Sequence, residues 1–354
     1  MLRFTYQALP ARVIFGAGSL ERLPDEIQLL GASRALVLAT PEQRDQAQAV
    51  AGRIGARAVG VFAQATMHVP LATAEAAREE AKRLSADCCV AVGGGSTTGL
   101  AKAIALVSAL PILAVPTTYA GSEMTPIWGL TEAGIKRTGR DPRVLPRTVI
   151  YDPQLTVTLP PLLSATSGMN AVAHCVEALY AEDANPVISL MAEEGIRALA
   201  TSLPAVVKNP HEIEGRSQAL YGAWLAGASL GAVGMALHHK LCHVLGGTFN
   251  LPHAETNTVV LPYVVAYNRA AAPKAIARVA RALGVDEGAA GLYALAASMG
   301  APTSLGQIGM KESDLDRAAD LAVESPYYNP RPVTREGVRG LLEYAFCGRP
   351  PTPR

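Results

Sequence analysis

The first part of the chain alternates short apolar runs with polar stretches of helical period. Residues 34–40 (Arg-Ala-Leu-Val-Leu-Ala-Thr), 58–62 (Ala-Val-Gly-Val-Phe), 88–92 (Cys-Cys-Val-Ala-Val) and 112–115 (Ile-Leu-Ala-Val) read as strands, with 12–16 as a further strand near the start. Their apolar character is continuous, which suits strands covered on both faces. Helical stretches such as 73–84 and 99–108 lie between them. Strands alternating with helices predict parallel pairing and a doubly wound, mostly parallel, Rossmann-like α/β domain.

The pattern changes at Pro160-Pro161. Beyond it, residues 162–181, 187–205, 214–242, 272–283, 291–299, 312–322 and 334–346 read as helices, with almost no strand signal. The expectation is an α/β domain over residues 1–160 and an all-α domain over 161–354.

Composition narrows the function. The chain has 354 residues, 49% apolar and 17% charged, with a net charge of +1. That is material for large cores and gives no electrostatic footprint for nucleic acid or a membrane surface. Residues 219–237 carry no charge, and Gly227 and Gly231 have GxxxG spacing. The stretch is nevertheless Ala- and Gly-rich and runs into His238-His239-Lys240, so a buried central helix accounts for it better than a membrane span. Five cysteines without CxxC spacing, and an N-terminus lacking a signal peptide's apolar core, point to a cytoplasmic protein with reduced thiols.

Two loops carry candidate cofactor chemistry. Gly93-Gly94-Gly95-Ser96-Thr97-Thr98 follows a strand and opens a helix. Glycines there let backbone approach a ligand, and a helix N-terminus offers free N–H groups to a phosphate. The plainer reading is a tight strand-to-helix turn. The next strand ends in a second hydroxyl-rich loop, Pro116-Thr117-Thr118-Tyr119-Ala120-Gly121-Ser122. Two such loops at the carboxyl ends of neighbouring parallel strands favour a nucleotide crevice.

A histidine constellation marks the helical part. Asn170 and His174 stand one helical turn apart, His239 and His243 likewise, and His253 follows the turn-like Asn250-Leu251-Pro252. His68 and His211 stand alone, and a core or surface role is the plainer reading for them. Of the adjacent His238 and His239, at most one is expected to face a site. His174, His239 and His253 have the look of three metal ligands, but the place for a fourth is held by Asn170, an amide that brings no negative charge.

Together these residues resemble the iron-containing alcohol dehydrogenase family over nearly the whole chain. The motifs are Phe15-Gly16-Ala17-Gly18, the GGGS loop, Pro116-Thr117-Thr118 with Gly121-Ser122-Glu123, Gly168-Met169-Asn170 with His174, the set His239, His243 and His253, and Asn329-Pro330-Arg331-Pro332. The resemblance implies a nicotinamide cofactor, NADH or NADPH, held by Gly93, Gly94, Gly95, Ser96, Thr97, Thr117, Thr118 and Ser122. Thr40 stands where an Asp often discriminates against NADP, so both cofactors are expected to serve. The family's metal ligands fall on His174, His239, His253 and Asn170, a vestigial site. His243 matches a histidine beside nicotinamide and substrate, and is expected to deliver a proton.

Asn170, residues 65–70 and residues 325–330 look more like one branch of that family. That branch reduces the carbon–carbon double bond of an unsaturated oxo-dicarboxylate in bacterial breakdown of aromatic compounds. The resemblance implies that a metal is not required and that His243, His239, His174, His253, Asn170 and Tyr327 form the catalytic set. Lys240 and Arg331 are candidates for the substrate carboxylates, and a homodimer is expected. Rival expectations are a metal-dependent alcohol dehydrogenase and a non-catalytic nucleotide-binding protein.

Overall fold

The computed structural model describes residues 4–9, 11–133 and 135–351. They fall into two compact units, one spanning Leu9–Leu159 and the other Pro160–Arg354, with residues 4–8 grouped with the second.

The first unit runs β1 (Arg12–Phe15), α1 (Leu23–Leu29), β2 (Ala35–Leu38), α2 (Arg44–Ile54), β3 (Ala58–Phe62), α3 (Leu71–Arg83), β4 (Cys88–Gly93), α4 (Gly95–Ser108), β5 (Ile112–Pro116), β6 (Ile127–Glu132), β7 (Ile135–Arg140) and β8 (Thr148–Tyr151). Six strands form one sheet in the order β1-β8-β5-β4-β2-β3, every pair parallel. Alternate residues serve opposite faces. Val37, Val90, Val92 and Leu113 pack with α1 and α2 residues such as Ile27 and Val50. Leu36, Leu38, Cys89, Ala91 and Ile112 pack with Ala77 of α3 and with Leu100 and Ile104 of α4. Two covered faces explain why the strands carry unbroken apolar runs. The strand order turns back between β2 and β4, and crevices at the carboxyl ends of such neighbours are where α/β sheets bind ligands.

β6 and β7 form a separate antiparallel hairpin, and β8 completes the main sheet. The apolar-run reading did not include these three strands. β6 and β7 are only partly buried where described and carry Lys136, Arg137 and Arg140, so they lack the runs that marked the others.

The second unit holds α5 (Pro161–Ala178), α6 (Pro186–Lys208), α7 (Ile213–Ala232), α8 (Leu237–Phe249), α9 (His253–Asn268), α10 (Pro273–Leu283), α11 (Gly288–Ser298), α12 (Leu315–Val323) and α13 (Arg335–Cys347). No strand occurs there among the described residues. α5 packs on α6, α7 and α9. α6 and α7 approach closely at Gly195 and Gly222, where a Cβ on Gly222 would lie 3.1 Å from the Gly195 carbonyl oxygen.

The single helix expected over 214–242 is a correction. The chain breaks after Ala232 and resumes at Leu237, with α7 and α8 bent by 96°. The buried Glu177 carboxylate of α5 holds the new helix start, accepting from Ala236 N–H at 3.0 Å and His238 N–H at 2.8 Å. A carboxylate that satisfies free N–H groups and faces the positive helix end stabilises such a start. Gly234 N–H donates to Asp183 Oδ1 at 2.9 Å inside the break. Among the described residues no single helix is long and apolar enough to cross a membrane. α9 was also missed, because its buried residues cover all sides and leave no helical period.

Candidate active site

The crevice of the first unit is built at the ends of β2, β4 and β5. Pro116 is paired with Gly93 in the sheet, and Thr117 N–H donates to Gly93 O at 3.1 Å. A Cβ on Gly94 would stand 2.8 Å from Thr118 Oγ1 and 2.9 Å from Thr118 Cγ2. The turn is therefore pressed against the β5 loop, and its backbone is left bare where α4 begins at Gly95. Thr97 Oγ1 is buried without a partner. Bare backbone, a helix N-terminus and an orphaned hydroxyl fit a dinucleotide's phosphates.

Gln43, which the sequence reading passed over, crosses this crevice. Its Nε2 donates to Thr117 Oγ1 at 2.8 Å, and its Oε1 lies 2.8 Å from where a Gly93 Cβ would stand. Thr40 precedes it at the end of β2. The exposed Glu42 carboxyl is held below its usual range by its own backbone N–H and then by the Thr40 hydroxyl. Ser122 is engaged within the protein. Its carbonyl and hydroxyl oxygens both accept from Lys102, at 2.6 and 3.3 Å.

The second unit contains a buried polar cluster. Asn170 and His174 sit one turn apart on α5, and the His174 ring stacks on that of His239 with centroids 5.0 Å apart. Glu177, one turn beyond His174, accepts from His239 Nδ1 at 2.6 Å. Burial acts to raise the Glu177 carboxyl. The His239 hydrogen bond, the charges of His239 and His238 and the Ala236 N–H outweigh it and hold the group below its usual range. Glu177 is thus an anion that fixes the His239 tautomer, with the proton on Nδ1 and Nε2 left for other work.

Asn170 Oδ1, His174 Nδ1, His239 Nε2 and Tyr327 OH are four of the side-chain atoms of this unit that are buried without hydrogen-bond partners, beside Tyr180 OH, Asn257 Oδ1 and Arg278 Nη1. Buried polar atoms are rarely left unpaired in a resting protein, which makes the four on expected site residues candidates for receiving a ligand. The Tyr327 hydroxyl is pushed up by burial and then by Glu177, and stays protonated. Lys240 Nζ stands 5.8 Å from the centre of its ring.

His243 and His253 are less buried than His174 and His239. His243, one helical turn past His239 on α8, is exposed, while Val244 and Leu245 beside it are buried. His253 begins α9 and is half-buried. Burial drives His174 well below its ordinary value, helped by the positive charge that His239, His253 and His238 carry when protonated. Arg331 stacks on the Tyr267 ring at 4.1 Å and donates to the Tyr267 carbonyl at 3.1 Å, a structural use of that cation. It lines a groove of about 660 Å³ with Tyr263, Tyr267 and Glu336, and none of the four orphaned groups lines that groove.

Glu177 and His238 were missed as site-supporting residues. The sequence signal was Glu177 three residues after His174. His238 is fully buried, and its Nε2 lies 3.0 Å from Asn257 O.

The donor set differs from one built around a charged oxygen. Among the described residues, the group of three His, Cys, Asp or Glu side chains whose ligand atoms lie within 4.8 Å of one another is Glu177, His238 and His239. Glu177 is already engaged by His239 and by helix N–H groups, and His238 by Asn257. The position four residues before His174 supplies a neutral amide, not the charged oxygen that hard cations favour.

A crevice for a dinucleotide's phosphates in a doubly wound sheet, and a separate helical unit with a buried histidine–carboxylate cluster, define a nicotinamide-dependent oxidoreductase of two units. The iron-containing alcohol dehydrogenase model matches residues 10–153 and the Fe-containing alcohol dehydrogenase C-terminal model residues 164–346, and the chain belongs to this family. It is 60% identical over 352 residues to a maleylacetate reductase of Burkholderia cepacia, covering 99% of this chain and 100% of that protein. The crystal structure of maleylacetate reductase from Agrobacterium tumefaciens matches with TM-score 0.96 and 53% identity, covering 99% and 100% of the two chains. That from Rhizobium sp. strain MTP-10005 matches with TM-score 0.96 and 52% identity at the same coverage.

Proposed function

We propose that this protein reduces the carbon–carbon double bond of maleylacetate to give 3-oxoadipate, with NADH or NADPH and without a metal ion. The observation that carries this reading is the buried His174–His239–Glu177 group, with unpartnered polar atoms on Asn170, His174, His239 and Tyr327, in a chain 60% identical to a maleylacetate reductase.

When bound, the nicotinamide supplies a hydride to the alkene carbon farther from the ketone. Negative charge then develops on the ketone oxygen. An alkoxide-forming reaction needs a Lewis acid for such charge, but a conjugated enone spreads it as an enolate that hydrogen bonds stabilise. Tyr327 donates to that oxygen and keeps its own proton. His239 takes a proton at Nε2, with Glu177 balancing the charge, and delivers it to the carbon beside the ketone. Asn170 orients the substrate, and Lys240 attracts one of its carboxylates.

Activity on maleylacetate is expected to survive exhaustive chelation, measured as NADH oxidation with matched metal analysis. Loss of activity that iron or zinc restores would overturn the metal-independent part of this reading. Asn170→Asp should raise the metal content of the purified protein, because it places a second anion in the cluster.

A further inference from the structure

A lysine is sealed inside the first unit beside the crevice. Lys102 lies on α4, two turns after Gly95, and is 1% exposed. Its ammonium donates to Ser122 O at 2.6 Å, Ile127 O at 2.8 Å and Thr125 Oγ1 at 3.0 Å, with Ser122 Oγ at 3.3 Å. Three protons thus meet three close acceptors. Burial pushes the group down to about 7, and the charge of buried Glu123 opposes that shift. Glu123 is itself held by Tyr151 OH of β8 at 2.8 Å.

Stability alone does not account for this arrangement. Burying an ammonium is costly even when it is well bonded, and an apolar side chain of similar volume often fills such a space better. What the lysine supplies is a grip on a particular stretch of backbone. Its acceptors span the turn Ser122–Met124 and the first residue of β6. The other end of the same loop is the crevice wall, where Thr117 receives Gln43 and Thr118 presses on Gly94. One helix therefore presents its N-terminus to phosphate and, two turns on, anchors the loop that forms the facing wall.

We propose that Lys102 is a positioning residue for the dinucleotide. By holding residues 122–127 from α4, it sets Thr117 and Thr118 against the Gly93–Gly95 turn before the cofactor arrives. The loop then needs no ordering on binding, and that preorganisation appears as affinity. The inference rests on the proposed use of NADH or NADPH and on the crevice described under Candidate active site.

The test is Lys102→Met, which keeps length and volume and removes the grip. NADH affinity is read by fluorescence titration, beside kcat at saturating NADH and the thermal midpoint. The expected result is a Kd for NADH raised about tenfold or more, with kcat at saturation within about twofold of the parent. A lowered midpoint with unchanged Kd would mean a merely structural lysine and overturn the proposal. Should Lys102→Met fail to fold, Thr125→Val removes one acceptor at constant volume. Its Kd is expected to rise about threefold or more, on the same preorganisation argument; no rise overturns the proposal. Gly94→Val separates the two levels. If it destroys NADH binding while the Lys102 and Thr125 variants bind normally, only the role of Lys102 fails. If none of the three changes the Kd, the crevice reading fails as well.

Discussion

Gly94→Val is expected to weaken NADH binding about a hundredfold or more, roughly 3 kcal/mol, with the protein still folded. The backbone at Gly94 has a φ of −90°, open to any residue, so the substitution acts through space rather than strain. A Cβ there meets Thr118 at 2.8 and 2.9 Å. The branched side chain must displace the loop or project over the bare backbone where phosphate would lie. Either outcome removes the close approach on which helix N-terminal anion binding depends. Isothermal titration with NADH checks it. Wild-type affinity in the variant would place the cofactor elsewhere.

His239→Ala is expected to lower turnover on maleylacetate about a thousandfold, within the range for a lost proton-transfer group. NADH affinity should stay near the parent value, because the crevice belongs to the other unit. His243→Ala should cost less, because His243 is exposed and the Glu177 carboxylate is hydrogen-bonded to His239 instead. Steady-state rates and NADH titrations on the two variants decide between them. A large loss in His243→Ala with a small one in His239→Ala would reverse the assignment. Removing His239 also strands the Glu177 carboxylate, so Tyr327→Phe gives a gentler control. It deletes one orphaned hydroxyl and should cost about ten- to a hundredfold in kcat.

Much of the fold was legible because the physics that forms it is local. β2, β4 and β5 are covered on both faces, and their apolar runs say so directly. The loss of strand pattern at Pro160-Pro161 falls where the first compact unit ends. The break between α7 and α8 was not legible, because the group that stabilises the new helix start comes from Glu177, some sixty residues away in sequence. Nothing within residues 214–242 distinguishes Gly234 from the glycines that continue a helix.

The site was legible at the level of residue types and less so in their roles. The His174 and His239 rings stack, and Asn170 stands one turn before His174 on α5. His243 shares a face with His239 by spacing, yet it is exposed where His239 is buried, a difference that helical period does not reveal. Glu177 escaped attention because a carboxylate on an apolar helix shows its purpose only when its partners are placed around it. Gln43 and Lys102 likewise act through partners, Thr117 and Ser122, that local pattern does not reveal.

The most direct test of the central claim is the product formed from maleylacetate and NADH deuterated at the transferred position. Reduction of the alkene predicts 3-oxoadipate with one deuterium on the carbon two bonds from the ketone carbon, and the ketone left intact. A hydroxylated, still unsaturated dicarboxylate carrying deuterium on the carbinol carbon would show alcohol dehydrogenase chemistry and contradict the account.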